Sequence, residues 1–539
     1  MLGSWFRSHR ASVSVAAIVV AAASVYGFRK LEPLAADPVG EKDCAPMPGG
    51  AATTTRDAAP PRAIAPLDSV RWKQVGGTIN DASCLNRVDV YGIVDVQSVD
   101  DVRRTLAFAR QNGLKVSVAG VRHSMGGHAF RRGGIVLDMT RFNRIALNEA
   151  ARTVTVQAGA TWHDIQNALH PKLAVRAMQS TDIFTVGGSI SVNAHGMDHQ
   201  AGAMANSIRT MRIMRADGTV EEISRSKNRE LFNLVVGGYG LFGVILDAEL
   251  DVADNAIYQT GRRFIDYREF PALFAREFET NKAVALMYAH LSTAPRSFLR
   301  DAVIYTYTET DGAGAQTQPL DVVTAVKLRR LVMNLSKQNA LFKELKWFSE
   351  KNLEPRMERC TVTRAQAMAS GEACLVSRND PMHDSVPYLR NNLKDETDIL
   401  HEYFVPRDRL IPFIDGMREV LQRNQANLLN ASIRVVHKEE NFLTYAPGPA
   451  FSVVLYINQA ADDAGNRRMK KLTEELIDLT IAQGGRFFLP YQLYYSPEQL
   501  QRAYPQIAAF FAAKRRYDPN GLLTNTFYQT YGETTVAAR

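Results

Sequence analysis

Cysteine is scarce in this 539-residue chain: Cys44, Cys84, Cys360 and Cys374 are the whole complement. They form no CxxC and no spacing that suits zinc, which excludes a zinc ribbon and a dithiol redox motif. A chain long enough to bury two cores needs no covalent staple, so free buried thiols are expected, with a Cys360–Cys374 disulfide as the alternative in an oxidising compartment. Basic runs are also absent. The net charge is +8, yet Lys and Arg are scattered among acids, which excludes a nucleic-acid-binding stripe and leaves a mildly basic solvated surface. Long apolar runs are missing except ASVSVAAIVVAAASVYGF, residues 11 to 28, so a polytopic membrane protein is excluded. No HExxH occurs. His123 and His128 straddle Gly126-Gly127, and His195 and His199 have no acid between them in that pattern, so no metal site is expected.

What is present divides the chain. Residues 1 to 30 read as a single-pass membrane anchor, or as a signal peptide cleaved near Ala21-Ala22-Ala23. Arg7, Arg10, Arg29 and Lys30 flank both ends of the run and leave its orientation open, cytoplasm-facing or periplasmic. Residues 31 to 71 are rich in Pro, Ala, Gly and Thr and read as a flexible tether.

From residue 88 the order is strand (VDVYGIVDV), helix capped by Ser98 and closed by Gly113, then strand (LKVSVAG), a βαβ arrangement that delivers the chain into VRHSMGGHAF. A second glycine-rich stretch, TVGGSISVNAHGMDHQAG, spans residues 185 to 202. Neither loop carries the Lys of a nucleoside-triphosphate loop, but glycine-rich backbone at a strand end can wrap a diphosphate with N–H groups alone. The match of residues 238 to 243, GYGLFG, to GxGxxG is rejected as a nicotinamide fingerprint, because a helix precedes it and a strand follows. After residue 255 helical segments at 268 to 280 and 320 to 352 alternate with strand patterns, which gives an α+β chain with an α/β-containing first part.

The segments AGVRHSMGGHAF, GGIVLDMTRFNRI, TVQAGATW, TVGGSISVNAHG, RADGTV and GGYGLFGVI occur in the order found in the vanillyl-alcohol-oxidase superfamily of PCMH-type FAD-linked oxidases, and the chain resembles its sugar and aldonolactone oxidase branch. The resemblance implies a two-subdomain FAD-binding domain over 72–255, an antiparallel-sheet substrate (cap) domain over 256–502, and a C-terminal return over 503–535 carried by YDPNGLLTNTF. It implies FAD contacts from Gly120, Val121, Arg122, His123, Ser124, Met125, Gly126 and Gly127 in the first loop. In the second it implies Thr185, Gly187, Gly188, Ser189, Asn193, His195 and Gly196, with Val244 and Ile245 near the adenine and Asn525 in the return. His123 stands where relatives carry the flavin covalently, so an 8α-histidyl bond is expected there, against a histidine that only hydrogen-bonds within the loop.

In the cap, Arg434 matches a pocket arginine of the sugar oxidases, while Tyr491 stands where they have a lysine and Ser432 where they often have an acid. Tyr491 is expected to accept the substrate proton if Arg434 lowers its pKa. Glu402 is the second candidate base, against a strand-edge acid paired with Arg407. The implied function is an FAD-dependent oxidoreductase that takes hydride from an alcohol C–H of a polyol, sugar or aldonolactone to flavin N5, with oxygen or a membrane quinone as acceptor. The alternatives are a flavin-dependent reductase of a sterol-like or enolpyruvyl-like C=C bond, and a non-catalytic flavin-binding membrane-tethered protein.

Overall fold

The computed structural model describes residues 31–36, 64–310, 320, 326–352, 375–383 and 395–533. The apolar run 11–28 and most of the stretch read as a tether lie outside them. Among the described residues no helix is long and apolar enough to cross a membrane.

The βαβ pattern forms a four-stranded sheet. Along the chain come β1 (Trp72–Val75), β2 (Thr78–Ile79), β3 (Val88–Asp89), β4 (Gly92–Asp95), β5 (Val116–Ala119) and β6 (Ile135–Asp138). The sheet order is β1-β4-β6-β5, with β6 parallel to both β4 and β5. VDVYGIVDV is therefore two strands, not one: β3 pairs with β2 in a separate ribbon, and β4 enters the sheet. The helix Val99–Gln111 between β4 and β5 starts with a capping box from Ser98 and Asp101. It buries Val102, Leu106 and Ala109 at helical spacing, and truncating Leu106 to alanine would cost about 2–5 kcal/mol. The chain returns to β5 near its end, where Val116 donates to Leu522 O at 2.8 Å and Thr524 N to Val116 O at 2.9 Å.

A six-stranded sheet follows, built from β7 (Ile145–Asn148), β8 (Thr153–Gln157), β9 (Leu173–Val175), β10 (Ile208–Met214), β11 (Val220–Ser224) and β12 (Val244–Asp254). It is antiparallel throughout. The Asp217-Gly218 turn joins β10 to β11, and the rejected GYGLFG motif is the link from helix Arg229–Val235 into β12. Within the second glycine stretch lies a short helix, Val186–Ser191, that its glycines disguise.

The third sheet has eight strands: β13 (Ile257–Asp266), β14 (Val284–Leu291), β15 (Asp301–Glu309), β16 (Leu375–Ser377), β17 (Glu396–Pro406), β18 (Asn427–Val436), β19 (Ala450–Ala460) and β20 (Arg486–Phe487). All its pairings are antiparallel. The molecule is thus a mixed helix-and-sheet α+β protein. One continuous apolar cluster joins Leu137 of the first sheet, Ile213 of the second and Val453 of the third.

Two expectations are corrected. Cys84 is disulfide-bonded rather than a free thiol. Residues 31–35, at the start of the supposed tether, are helical. Arg330 donates to the carbonyls of Ala35 and Ala36 at 3.2 and 3.1 Å, and Asn334 to that of Leu34 at 2.7 Å, so this stretch is docked on helix Val326–Ser336.

Candidate active site

The first glycine loop leaves the C-terminal end of β5 and turns at Arg122 (φ +57°) and Gly127 (φ +70°). Among the described residues the amides of Gly120, Val121, Arg122 and Ser124 make no hydrogen bond within the protein. The far end of the loop is held from outside. The buried Asp81 carboxylate accepts from Gly127 N at 2.9 Å and from Ser83, Asn86 Nδ2 donates to Met125 O at 2.8 Å, and Met125 N donates to Pro490 O at 2.9 Å. Burial pushes Asp81 up to about 6 against the opposing pull of these hydrogen bonds.

The second loop touches the first. A Cβ on Gly120 would lie 2.0 Å from Thr185 Oγ1, and one on Gly126 would lie 2.4 Å from Tyr491 O. Only glycine permits these approaches. Gly187 N donates to Ala158 O at 2.9 Å, and a Cβ on Gly196 would meet Met178 O at 1.8 Å. His123 lies edge-on to Phe184, ring centroids 4.9 Å apart.

Several expected ligand contacts spend their polar groups on the protein instead. Ser189 faces inward, its Oγ bonded to Gln179 at 2.8 Å and to Trp162 Nε1 at 3.0 Å. Asn193, in the left-handed region, clamps Glu439 through Nδ2, accepts from Ala205 N, and takes the Tyr445 hydroxyl on its carbonyl. Asn525 holds Tyr239 O at 2.8 Å and caps Tyr528 N at 3.0 Å. Val244 and Ile245 are core residues of β12 paired with Met214 and Ile213. The residues left to hold a diphosphate are the open amides of the first loop, with Thr185 and Gly188 beside them.

On the third sheet, register assembles a polar row. Tyr288 and His290 alternate along β14; His290 opposes Ser432, Arg434 opposes Ser452, and Ser452 opposes Phe404, two residues from Glu402. Side chains directly opposite or two apart share a face. Tyr288, His290, Ser432, Arg434, Ser452 and Glu402 therefore line one surface.

That row meets the second loop at His195. Its Nε2 is 2.6 Å from Glu402 Oε1, and both side chains are buried. Ser452 donates to the same oxygen, and the Tyr491 hydroxyl reaches Glu402 Oε2 at 3.4 Å. Phe404, Tyr445 and Phe488 surround the imidazole, with centroids 5.6, 5.7 and 6.4 Å away. Burial works to raise the Glu402 pKa, but His195, Ser452 and Arg434 outweigh it and hold the carboxyl below its ordinary value. Nε2 is thus spent on Glu402, and Nδ1 is the ring nitrogen left over. That Nδ1 is buried and has no hydrogen-bond partner among the described residues, and Arg434 Nε is in the same condition.

The three residues expected to do the chemistry are thus brought together, with two corrections. Burial and the Glu402 charge push the Tyr491 hydroxyl well above its ordinary pKa despite Arg434, so it is a hydrogen-bond donor and not a base. Glu402 sits on an interior strand between β19 and the short β20, not at an edge, and Arg407 pairs with Glu279 instead. Sequence reasoning missed Ser452, whose signal was a lone hydroxyl in the apolar run FSVVLYIN, and the Asp81–Asn86 brace, which carries no motif.

Residues 69–224 match a family model described as an FAD binding domain. The chain is 35% identical over 155 residues to the decaprenylphosphoryl-beta-D-ribose oxidase of Mycolicibacterium smegmatis, covering 28% of this chain and 34% of that one. It is 35% identical over 159 residues to the L-gulonolactone oxidase of Mus musculus, covering 28% and 35%. It is 28% identical over 187 residues to cytokinin dehydrogenase 2 of Arabidopsis thaliana, covering 34% and 37%. The matched stretch spans about a third of the length of these relatives. Open amides at a strand end, and two loops in contact through glycine, fit the cofactor that this similarity names. Residues 69–224 therefore belong to the PCMH-type FAD-binding domains of the vanillyl-alcohol-oxidase flavoprotein superfamily, and FAD is the cofactor.

Proposed function

We propose that the protein is an FAD-dependent oxidoreductase that oxidises an alcohol C–H of a polyol, sugar or aldonolactone. In this reading residues 72–255 hold the FAD, 256–502 form the cap, and 503–535 complete the cofactor domain. Bound FAD supplies the hydride acceptor for such an oxidation. The chain's own residues must take the hydroxyl proton and hold the substrate.

The observation that carries the reading is the pair of unspent polar atoms beside Glu402. Among the described residues, His195 Nδ1 and Arg434 Nε are both buried without a partner, a costly state unless a polar ligand completes it. His195, oriented by Glu402, accepts the proton at Nδ1. Arg434 and the Tyr491 hydroxyl donate to substrate oxygens, which suits a compound with several hydroxyls. The names of the ribose and gulonolactone oxidases support the same substrate class. His123, in the first loop four residues past the end of β5, would carry the flavin covalently. Oxygen reoxidises the protein, or a membrane quinone does if residues 11 to 28 anchor it.

Anaerobic mixing of the FAD-loaded protein with polyols, aldonolactones and NAD(P)H tests this. Bleaching of the flavin band by a polyol or lactone is expected. Bleaching by NAD(P)H alone would favour a C=C reductase, and no bleaching by any of them a flavin-binding protein without chemistry.

A further inference from the structure

Outside the flavin loops, three side chains from distant parts of the sequence converge on one point. His163 is in the first turn of helix Trp162–Leu169, Asp182 lies in the turn before the second glycine loop, and His383 ends the helix Asn379–His383. Nδ1 of His163 lies 2.9 Å and Nδ1 of His383 2.8 Å from the same oxygen, Asp182 Oδ2. All three ligand atoms fall within 4.8 Å of one another. The two imidazoles stack with centroids 5.1 Å apart.

The cluster has one closed side and one open side. Asp182 and His383 are buried, whereas the His163 side chain is 48% exposed, so an ion has a path from solvent past His163. The second oxygen of Asp182, Oδ1, is buried with no hydrogen-bond partner among the described residues. Among the described residues no Lys or Arg pairs with this carboxylate; its ion-pair partners are the two histidines. A buried carboxylate with an unspent oxygen and no strong cation is an expensive arrangement unless a positive charge joins it.

We propose that His163, Asp182 and His383 bind one divalent transition-metal ion of the zinc class. Two imidazole nitrogens and one carboxylate oxygen suit zinc, cobalt or nickel better than calcium or magnesium, which prefer all-oxygen shells. Bond lengths of about 2.1 Å around a tetrahedral ion set donors about 3.3 Å apart. The separations of 2.8 and 2.9 Å need to open by only a few tenths of an ångström. Three protein ligands leave a position for water or for Asp182 Oδ1.

The backbone around the cluster is fixed from both sides, as a metal site requires. His163 N donates to Asp182 O at 2.9 Å and Trp162 N to Phe184 O at 3.1 Å. Gln166 Nε2 donates to Asn379 O at 3.2 Å, Asn379 Nδ2 to Leu173 O at 3.1 Å, and Arg378 Nη2 to Arg176 O at 2.8 Å. An ion here staples segment 375–383 to the entry of the second glycine loop, two residues before the Phe184 that touches His123.

The test uses full-length, FAD-loaded protein stripped with a chelator and titrated with zinc chloride by calorimetry, then with cobalt chloride read by visible absorption. One equivalent is expected to bind with micromolar or tighter affinity, with the intense bands of a low-coordinate cobalt site and a zinc-dependent rise in thermal midpoint. The His163→Ala substitution at an exposed position should weaken binding at least about tenfold while flavin content stays at the wild-type level. His383→Ala should abolish it. The absence of saturable one-equivalent binding in the wild type would overturn the proposal, as would binding that His163→Ala and His383→Ala leave unchanged. So would thermal midpoints that fall in the variants but ignore zinc in every form, the behaviour of a purely hydrogen-bonded cluster.

Discussion

His195 Nε2 and Glu402 Oε1 lie 2.6 Å apart and join a glycine loop to the eight-stranded sheet across 207 positions of sequence. If His195 takes the substrate proton and Glu402 orients it, His195→Ala should lower kcat by about 10²–10⁴-fold, the range of general-base catalysis. Glu402→Gln should lower it by about 10²-fold with little change in bound FAD. Steady-state kinetics alongside flavin absorbance separates these effects. Wild-type kcat in either variant would remove the pair from the chemistry.

Tyr491→Phe tests the opposite assignment. The hydroxyl stays protonated across the working range and reaches Glu402 only at 3.4 Å. Its loss should raise KM and cost kcat less than about tenfold. The alkaline limb of the pH–rate profile should stay where it is. A limb that disappears in the variant would make Tyr491 the base after all.

The contact between the loops predicts a reciprocal pair of variants. Gly120→Ala places a methyl 2.0 Å from Thr185 Oγ1, so FAD retention should fall sharply. Thr185→Ala removes the obstructing group, and the double variant should recover most of the retained flavin. The coupling, read as flavin-to-protein absorbance ratio after gel filtration, should be positive and large for residues in direct contact. Additive losses would mean that the loops do not meet there.

The parts legible in the sequence were those fixed locally. The capping box at Ser98, the helix ahead of GYGLFG and the strands of the third sheet each carry their own period or punctuation. The short helix Val186–Ser191 was hidden because glycine disfavours helix, and it forms because Gly187 N and Val186 N find carbonyl partners on the segment after β8. Arg407 looked like a neighbour of Glu402, but it lies past the end of β17 and meets Glu279. The sign of the Tyr491 shift was missed because burial and a carboxylate act against Arg434, and none of these distances follows from spacing along the chain. The His163–Asp182–His383 cluster was invisible for the same reason.

Covalent attachment makes a yes-or-no prediction. Acid-precipitated wild-type protein should stay yellow, and the flavin should migrate with the polypeptide on a denaturing gel. His123→Ala should still bind FAD through the loop amides but release it to the supernatant on precipitation. Colourless wild-type pellets would leave His123 as a neighbour of the flavin only.

Two buried histidines that the mechanism does not use should each make acid destabilise the fold. Burial lowers His128 to about 3 and His401 to about 4, from an ordinary value of 6.5. Both are neutral in the folded chain, whereas the unfolded chain protonates them below about 6.5. Each therefore contributes stability that is complete above that pH and is lost as pH falls toward the folded value. These two histidines contribute a slope of about 2.7 kcal/mol per pH unit near pH 5, offset in part by the buried Asp81 and Glu439 carboxyls, which burial raises to about 6 and about 7 and which are protonated in the folded chain first. Gln in place of His401 keeps an acceptor for the Tyr403 hydroxyl, which lies 3.0 Å from His401 Nδ1, and carries no titratable group. In urea unfolding, His401→Gln should shrink the loss of stability between pH 7 and pH 5.5 by about 1.2 kcal/mol. An unchanged slope would show that His401 is already charged in the folded protein.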